Sequence, residues 1–334
     1  MRTDIKKEII NIRSSVILAI LSVVLSLVSS VFGPAGLYIS ILPMAASVGL
    51  LAALIHFECE KTNLPKLIAP ILIVAIDWIF NGFYSLSGIL IVVVALMIFL
   101  VYEQGWAKFE SSMAMSLIAA VIIALIFIVV GMKNDQGLSV SEFYQNLYEQ
   151  IKVEYLNYFN QVYLPIYEEM GVESISPEDM IYILDYIVGM LVSILFVMGF
   201  ILIGVASKLY FFVLEKLGSD KEKLYGWRFA PSSVFAYFYA ILELLSMFLS
   251  AELTTYNLSI SNLNLIFMVV FCYMGIIAIG KLIRERRKRG LPILLTVVCA
   301  AFIALIFPRI ISYAGVFYCI VVNKMKKMKD ENID

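Results

Sequence analysis

The sequence predicts an all-α fold, a polytopic transmembrane helical bundle, on three observations. Hydrophobic residues make up 62% of the 334-residue chain and charged residues only 15%, with a mean hydropathy of +0.93. A water-soluble fold of this length has too little interior to hide that much apolar surface, whereas lipid accepts the excess. The apolar residues also fall in runs near the ~20 residues that a helix needs to cross a bilayer. Finally, the basic residues collect between alternate runs, as they do in loops retained in the cytoplasm.

The runs, in order, are Val16–Phe32, Gly36–Phe57, Leu67–Phe80, Phe83–Tyr102, Met113–Met132, Ile181–Tyr210, Ser233–Ser250 and Leu263–Ile283. No small-residue cleavage pattern follows the first, which therefore reads as a retained span and not a removed signal peptide. A ninth stretch, Leu291–Val322, is too long for one crossing and is interrupted by Pro308 and Arg309. Proline breaks the helical ladder and arginine resists the bilayer centre, so the stretch divides into two segments. The expected architecture is about eight full spans plus a C-terminal helical pair or re-entrant hairpin.

With residues 1–15 inside and the sides alternating, Lys133, Lys152 and Arg309 are the only three of the 25 basic residues left outside. This asymmetry predicts a bacterial inner-membrane protein with both termini in the cytoplasm. Three regions follow: an N-terminal five-span bundle over 1–132, an extracytoplasmic acidic and aromatic segment over 133–180, and a C-terminal membrane bundle over 181–334. The last contains a mixed-charge cytoplasmic loop, 208–230, and ends in a basic tail.

In the 133–180 segment, Tyr144, Tyr148, Ile151, Tyr155, Tyr158 and Val162 recur at alternating spacings of four and three. That is one stripe of an amphipathic helix, lying on the outer membrane surface, laid over the bundle mouth as a lid, or packed against protein for structure alone. Ser139 and Glu142 have capping-box spacing, and Pro165 and Gly171 mark the helix end. Ser176-Pro177-Glu178-Asp179 then starts the next helix, with serine as cap, proline first and acids in the first turn; Asp185, one turn into the sixth span, is an acid that the helix N-terminus also explains.

The chain has a net charge of −1 and no basic surface of domain size, which excludes a nucleic-acid partner. Cys59, Cys272, Cys299 and Cys319 are scattered and His56 is the only histidine, so no metal site and no cofactor are expected. No phosphate-binding loop, zinc-protease motif or nucleophile elbow occurs, and no catalytic residue is assigned.

Ionisable groups at membrane depth are the better lead, because an unpaired charge in hydrocarbon costs several kcal/mol, about 3 or more. Asp77 and Asn81 share one helical face, and Tyr84 continues it. Glu243 is expected near the middle of the seventh span, with Arg309 as its salt-bridge partner. Asp77, Asn81, Tyr84, Glu243 and Arg309 are the candidate ligand-binding residues; the alternative for each carboxylate is a packing device, neutral or paired with a neighbouring helix. Ser15 and Ala19, then Ser22, Ser26 and Ser30, form small faces on the first span that allow close approach of another helix, in this chain or in a partner. The run Tyr225-Gly226-Trp227-Arg228-Phe229-Ala230-Pro231 suits an interfacial anchor ahead of the seventh span.

This layout, with Trp227 and Pro231 leading into paired spans and a basic tail behind them, resembles the YybS-like family of bacterial multipass membrane proteins. The N-terminal part of that family is similar to the substrate-binding S components of energy-coupling-factor vitamin transporters. The resemblance implies a bundle that binds a small molecule from the outside and docks on a membrane coupling subunit through its first span. Such components often carry an alanine-x-x-x-alanine pattern there, and the nearest match here is Ser15/Ala19. A second expectation is a scaffold or regulator without transport activity, engaging a cytoplasmic partner or anionic lipid through 208–230 and the basic run Arg284–Arg289.

Overall fold

The computed structural model describes residues 2–32, 37–56, 63–82, 86–104, 109–132, 139–171, 176–217, 231–248, 253–286 and 306–331. Among them every regular element is a helix and no strand occurs. The α-helices are α1 (Arg2–Phe32), α2 (Leu37–His56), α3 (Asn63–Asn81), α4 (Ser87–Glu103), α5 (Phe109–Met132) and α6 (Val140–Tyr158). They continue with α7 (Leu164–Met170), α8 (Pro177–Gly189), α9 (Leu191–Lys216), α10 (Ser233–Ser246), α11 (Thr255–Arg286) and α12 (Pro308–Glu331). Tyr84, Cys59, Cys299, the Tyr225–Ala230 anchor and the first half of the expected C-terminal pair lie outside the described residues.

Four described segments are long and apolar enough to cross a membrane: Arg13–Val31, Leu64–Asn81, Leu191–Lys216 and Thr255–Gly280. The other apolar helices, Ser40–His56, Ser87–Glu103, Phe109–Leu125, Ser233–Ser246 and Pro308–Val322, are shorter. Ile181–Tyr210, expected as one span, is divided between α8 and α9 with a turn at Met190. The chain separates into two compact units, Met1–Leu184 with Leu195–Arg228, and Asp185–Ile194 with Phe229–Asp334.

In the first unit α1 packs on α2 and α3, α2 and α3 pack on α4, and α5 joins α4 to α6. The small residues of α1 are spent on this packing. Ser15, Ser22, Ser26 and Ser30 are buried, and Ser47 of α2 donates to the Ser22 carbonyl at 2.8 Å. The helix approached by that face is thus in the same chain. The opposite face presents Ile17, Ile20, Leu21, Val24 and Val28 outward. A helix that keeps small polar residues inside and branched apolar ones outside fits a lipid surround.

Helix α6 begins where the capping box places it. The Glu142 carboxylate accepts from the Ser139 backbone N–H at 2.8 Å, and the Glu142 N–H donates to Ser139 Oγ at 3.3 Å. The Ser139 hydroxyl also donates to the Glu142 carboxylate at 2.7 Å, and this bond first, with that from the Ser139 N–H, holds the carboxyl below its ordinary value of 4.5. A depressed carboxylate stabilises the fold above its unfolded value and stops doing so as pH falls through the folded one. Protection of the Ser139–Phe143 amides against hydrogen exchange should therefore drop on acidification through that range, and Glu142→Gln should remove the dependence.

The aromatic stripe does not pack as a buried face. Phe143 and Phe159 are the buried side chains, whereas Tyr144, Ile151, Tyr158 and Val162 are exposed. Nor does Pro165 end the helix. The backbone widens to a π turn over Phe159–Tyr163 and passes through the proline, which lacks the N–H for an ordinary ladder bond, into α7. The helix stops at Gly171, whose φ of 63° is a left-handed C-terminal cap. Helix α8 starts at Pro177 as expected, with the Asp179 N–H donating to Ser176 Oγ at 3.1 Å.

The second unit is built on α11 and α12, with α10 packed on both. Gly275 and Gly315 mark the crossing of α11 and α12: a Cβ on Gly275 would meet the Ile311 carbonyl oxygen, and one on Gly315 the Phe271 carbonyl oxygen. Tyr239, Phe271, Met274 and Cys319 fill the core beside this crossing, with the Tyr239 and Phe271 rings stacked 5.1 Å apart.

Candidate functional site

The candidate residues separate between the two units. In the first, Asp77 is buried in α3 and accepts from Asn81 Nδ2 at 2.8 Å and, through Oδ2, from the Gly88 N–H at 2.8 Å. Gly88 lies in the first turn of α4, so Asp77 caps a neighbouring helix as well as pairing along its own. The bond needs close approach, since a Cβ on Gly88 would sit 2.9 Å from Val74 Cα. Asp77 and Asn81 are thereby engaged in holding α3 to α4.

The second unit brings Glu243 and Arg309 together. Helix α10 ends at Ser246, short of the expected Ser250, so Glu243 lies in its last turn and not mid-span. It is buried, and its two oxygens accept from Tyr239 Oη at 3.0 Å and Tyr313 Oη at 3.2 Å. Arg309 Nε stands 3.9 Å from Glu243 Oε1, beyond hydrogen-bond range, with its side chain 64% exposed. Ser312 Oγ lies 2.9 Å from Tyr239 Oη and 2.8 Å from the Arg309 carbonyl. Because the Tyr239 proton is given to Glu243, the single Ser312 proton serves one of these two contacts at a time. One polar chain thus fastens the end of α10 to the first turn of α12.

Both charges oppose the local helix field. Carboxylates are disfavoured at a helix C-terminus and cations at an N-terminus. Two adjacent violations of a local preference are what a site under functional constraint shows.

Beside this pair lies the break between α8 and α9, and its cause is a single side chain. In an unbroken helix the Ser193 N–H would bond the Gly189 carbonyl. Instead, Asn262 of α11 inserts its carboxamide: Nδ2 donates to Gly189 O at 2.8 Å and Oδ1 accepts from the Ser193 N–H at 3.1 Å. Insertion into the ladder is a recognised cause of a kink, and here it meets the Gly189 carbonyl and the Ser193 N–H that the break separates. Asn262 also donates to Leu258 O at 2.8 Å, which fixes the amide's orientation.

A cavity of about 450 Å3 opens against this break. Tyr186, Ile187 and Met190 line it from the α8–α9 side, and Asn264, Leu265 and Met268 from α11. Ser246, Ser261 and Arg309 complete the polar part of the wall. A second cavity of about 390 Å3 adjoins the start of α12 and shares Met268 and Arg309. Asn264 is only 8% exposed, and its Oδ1 has no hydrogen-bond partner among the described residues. An unmade bond on a buried amide oxygen costs about 1–3 kcal/mol, and this oxygen is closed off from the cavity.

Sequence reasoning singled out Glu243 and Arg309 but missed Asn262, Asn264, Tyr239 and Tyr313. Two signals were present: the i, i+4 spacing of Tyr239 and Glu243, and two asparagines inside the apolar run of α11. Another cluster stands at the ends of α2 and α4, where His56 Nδ1 lies 3.1 Å from Glu103 Oε1 and 3.2 Å from Tyr210 Oη. Among the described residues no group of His, Cys, Asp or Glu is arranged to hold a metal ion.

No family model, curated protein or solved structure matches the chain.

Proposed function

We propose that this chain is a multipass inner-membrane protein that binds a small solute from the outer side, in the cavity at the α8–α9 break, in keeping with its YybS-like resemblance. The observation that carries this reading is a cavity of about 450 Å3, walled by Arg309, Ser246, Ser261 and apolar side chains, beside a helix interrupted by an inserted side chain. Interrupted helices whose freed backbone groups are met by protein are a recurrent way of building solute sites in transporters. The eight-span topology with both termini inside puts the end of α10 and the starts of α11 and α12 on the outer face, which is where the cavity lies. Solute binding without catalysis fits the lack of an assigned nucleophile in the sequence. Docking on a coupling subunit through the small residues of α1 is not part of the proposal, because α2 already covers them.

The reading of sidedness is tested by accessibility. With the native cysteines replaced, Ser261→Cys should react in intact cells with a membrane-impermeant thiol reagent. Labelling only by a permeant maleimide, or only after permeabilisation, contradicts an outward-open cavity.

A further inference from the structure

We infer that the exposed apolar strip along α6 and α7 is a docking seam for a basic amphipathic helix of another protein. The strip belongs to the first unit, and the inference is independent of solute binding.

Helix phase gives the seam its shape. Tyr144, Leu147, Ile151 and Tyr158 are exposed at spacings of three, four and seven. On a helix that turns about 100° per residue they fall within about 60° of one another. Half-buried Tyr148 and Tyr155 and buried Phe159 mark the adjoining packed side. Continued at the same pitch, Ile166 and Met170 would turn onto that packed side. The π turn over Phe159–Tyr163 winds at about 4.4 residues per turn and delays the phase by about 90°. Val162, Ile166 and Met170 are thereby returned to the strip, and all three are exposed. The strip runs about 40 Å from Tyr144 to Met170. Its narrow three-and-four repeat is that of a coiled-coil seam, not of the broader apolar face with which a helix covers a core.

Charge identifies the occupant. Glu154 takes the seam position three residues after Ile151 and four before Tyr158, and it is exposed. Glu142, Glu149 and Glu169 are exposed as well. Lys152 is the one base between Val140 and Met170, and its ammonium already lies over the Tyr148 ring, 5.9 Å from the centroid. A second copy would set carboxylates against carboxylates. Helices that lie on a bilayer carry Lys and Arg beside the apolar face, which this one lacks. A helix whose own apolar seam is flanked by lysine or arginine matches both the strip and its acids.

The probe is a fluorescein-labelled peptide of four heptads, with leucine at the first and fourth positions, lysine beside them and glutamine elsewhere. Its twin carries glutamate in place of lysine. Fluorescence anisotropy with the full chain in phosphatidylcholine nanodiscs, corrected for empty nanodiscs, should show saturable binding of the lysine peptide. That binding should be about tenfold tighter than the twin's at low salt, with the gap closing toward ~0.5 M salt. Ile151→Ser and Ile166→Ser, on opposite sides of the π turn, should each weaken it about fivefold and leave the melting temperature within about 2 °C. Glu154→Lys should narrow the gap between the peptides to about threefold. Comparison of the two peptides on the unaltered chain needs no variant, so a misfolded mutant does not decide the outcome.

No saturable binding, equal binding of both peptides, or binding untouched by Ile151→Ser and Ile166→Ser would overturn the inference. Either rival occupant would do so too. Quenching of a bimane on Ile151→Cys, with the native cysteines replaced, by spin-labelled lipid headgroups would give the strip to the bilayer. A dimer of the purified chain that Ile151→Ser abolishes would give it to a second copy.

Discussion

Gly315→Ala should lower the stability of the second unit by about 2 kcal/mol, and Gly315→Leu by more than ~3 kcal/mol, enough to drive α12 off α11. The obstacle is backbone, not a side chain that can turn away: a Cβ at Gly315 would meet the Phe271 carbonyl oxygen. The reciprocal glycine, Gly275, leaves no slack on the other helix, because its own approach is to the Ile311 carbonyl. Gly280 is the internal control, since nothing lies within 4 Å of a Cβ built there. Gly280→Ala should be neutral or gain up to about 1 kcal/mol from helix propensity. Apparent melting temperatures of the three purified variants, with gel filtration to detect aggregation, check the ordering. Gly315→Ala behaving like Gly280→Ala would mean that the helices do not cross where the structure places them.

Asn262→Leu is the second large effect. Its amide stands between the Gly189 carbonyl and the Ser193 N–H, and a leucine there leaves both facing apolar side chains. Two unmet backbone groups correspond to about 2–4 kcal/mol, offset in part if the helix closes its own ladder. Closure would straighten α8 into α9 and displace Ile187 and Met190, which line the cavity. The variant should therefore lose ligand binding as well as stability, although Asn262 itself is not in the cavity wall. Asn262→Asp should be worse, because it removes the donor and turns carboxylate oxygen toward the Gly189 and Leu258 carbonyls. Melting temperature reads the loss of stability, and the thermal shift produced by a bound solute reads the loss of binding. An Asn262→Leu protein of unchanged melting temperature would show that the amide does not bridge the break.

What was legible in the sequence was mostly local. Ser139 with Glu142 and Ser176 with Asp179 announce helix starts because the capping partners lie three residues apart. The helical character of each apolar run is equally local, as is the Asp77–Asn81 pair at i, i+4. The tyrosine stripe shows the limit of periodicity. Spacing tells which residues share a face but not what that face meets, and Tyr144 and Tyr158 point outward while Phe143 and Phe159 are buried.

The features that make the site are long-range. The break at Gly189 is met by Asn262, 73 residues away, and one glycine in an apolar run does not announce it. Pairing of Glu243 with Arg309 was expected because two charges in apolar surroundings need each other. The phenols that actually bond the carboxylate, Tyr239 and Tyr313, reach it only once α10 and α12 are packed. Asp77 was conspicuous for the same reason as Glu243, yet its oxygens are met within the first unit by Asn81 and the start of α4. Burial marks both acids alike, and only the presence of a cavity tells them apart.

The most direct measurement is a thermal-shift screen of the purified chain in nanodiscs against a panel of small solutes, run in parallel on Met268→Trp. A ligand that binds the folded state raises its stability by mass action, about 2.7 kcal/mol at a hundredfold excess over Kd. The account predicts that some solutes raise the melting temperature of the unaltered chain and that Met268→Trp does not respond to them. No shift with any compound, or equal shifts in the cavity-filled variant, would contradict the claim that this cavity is a binding site.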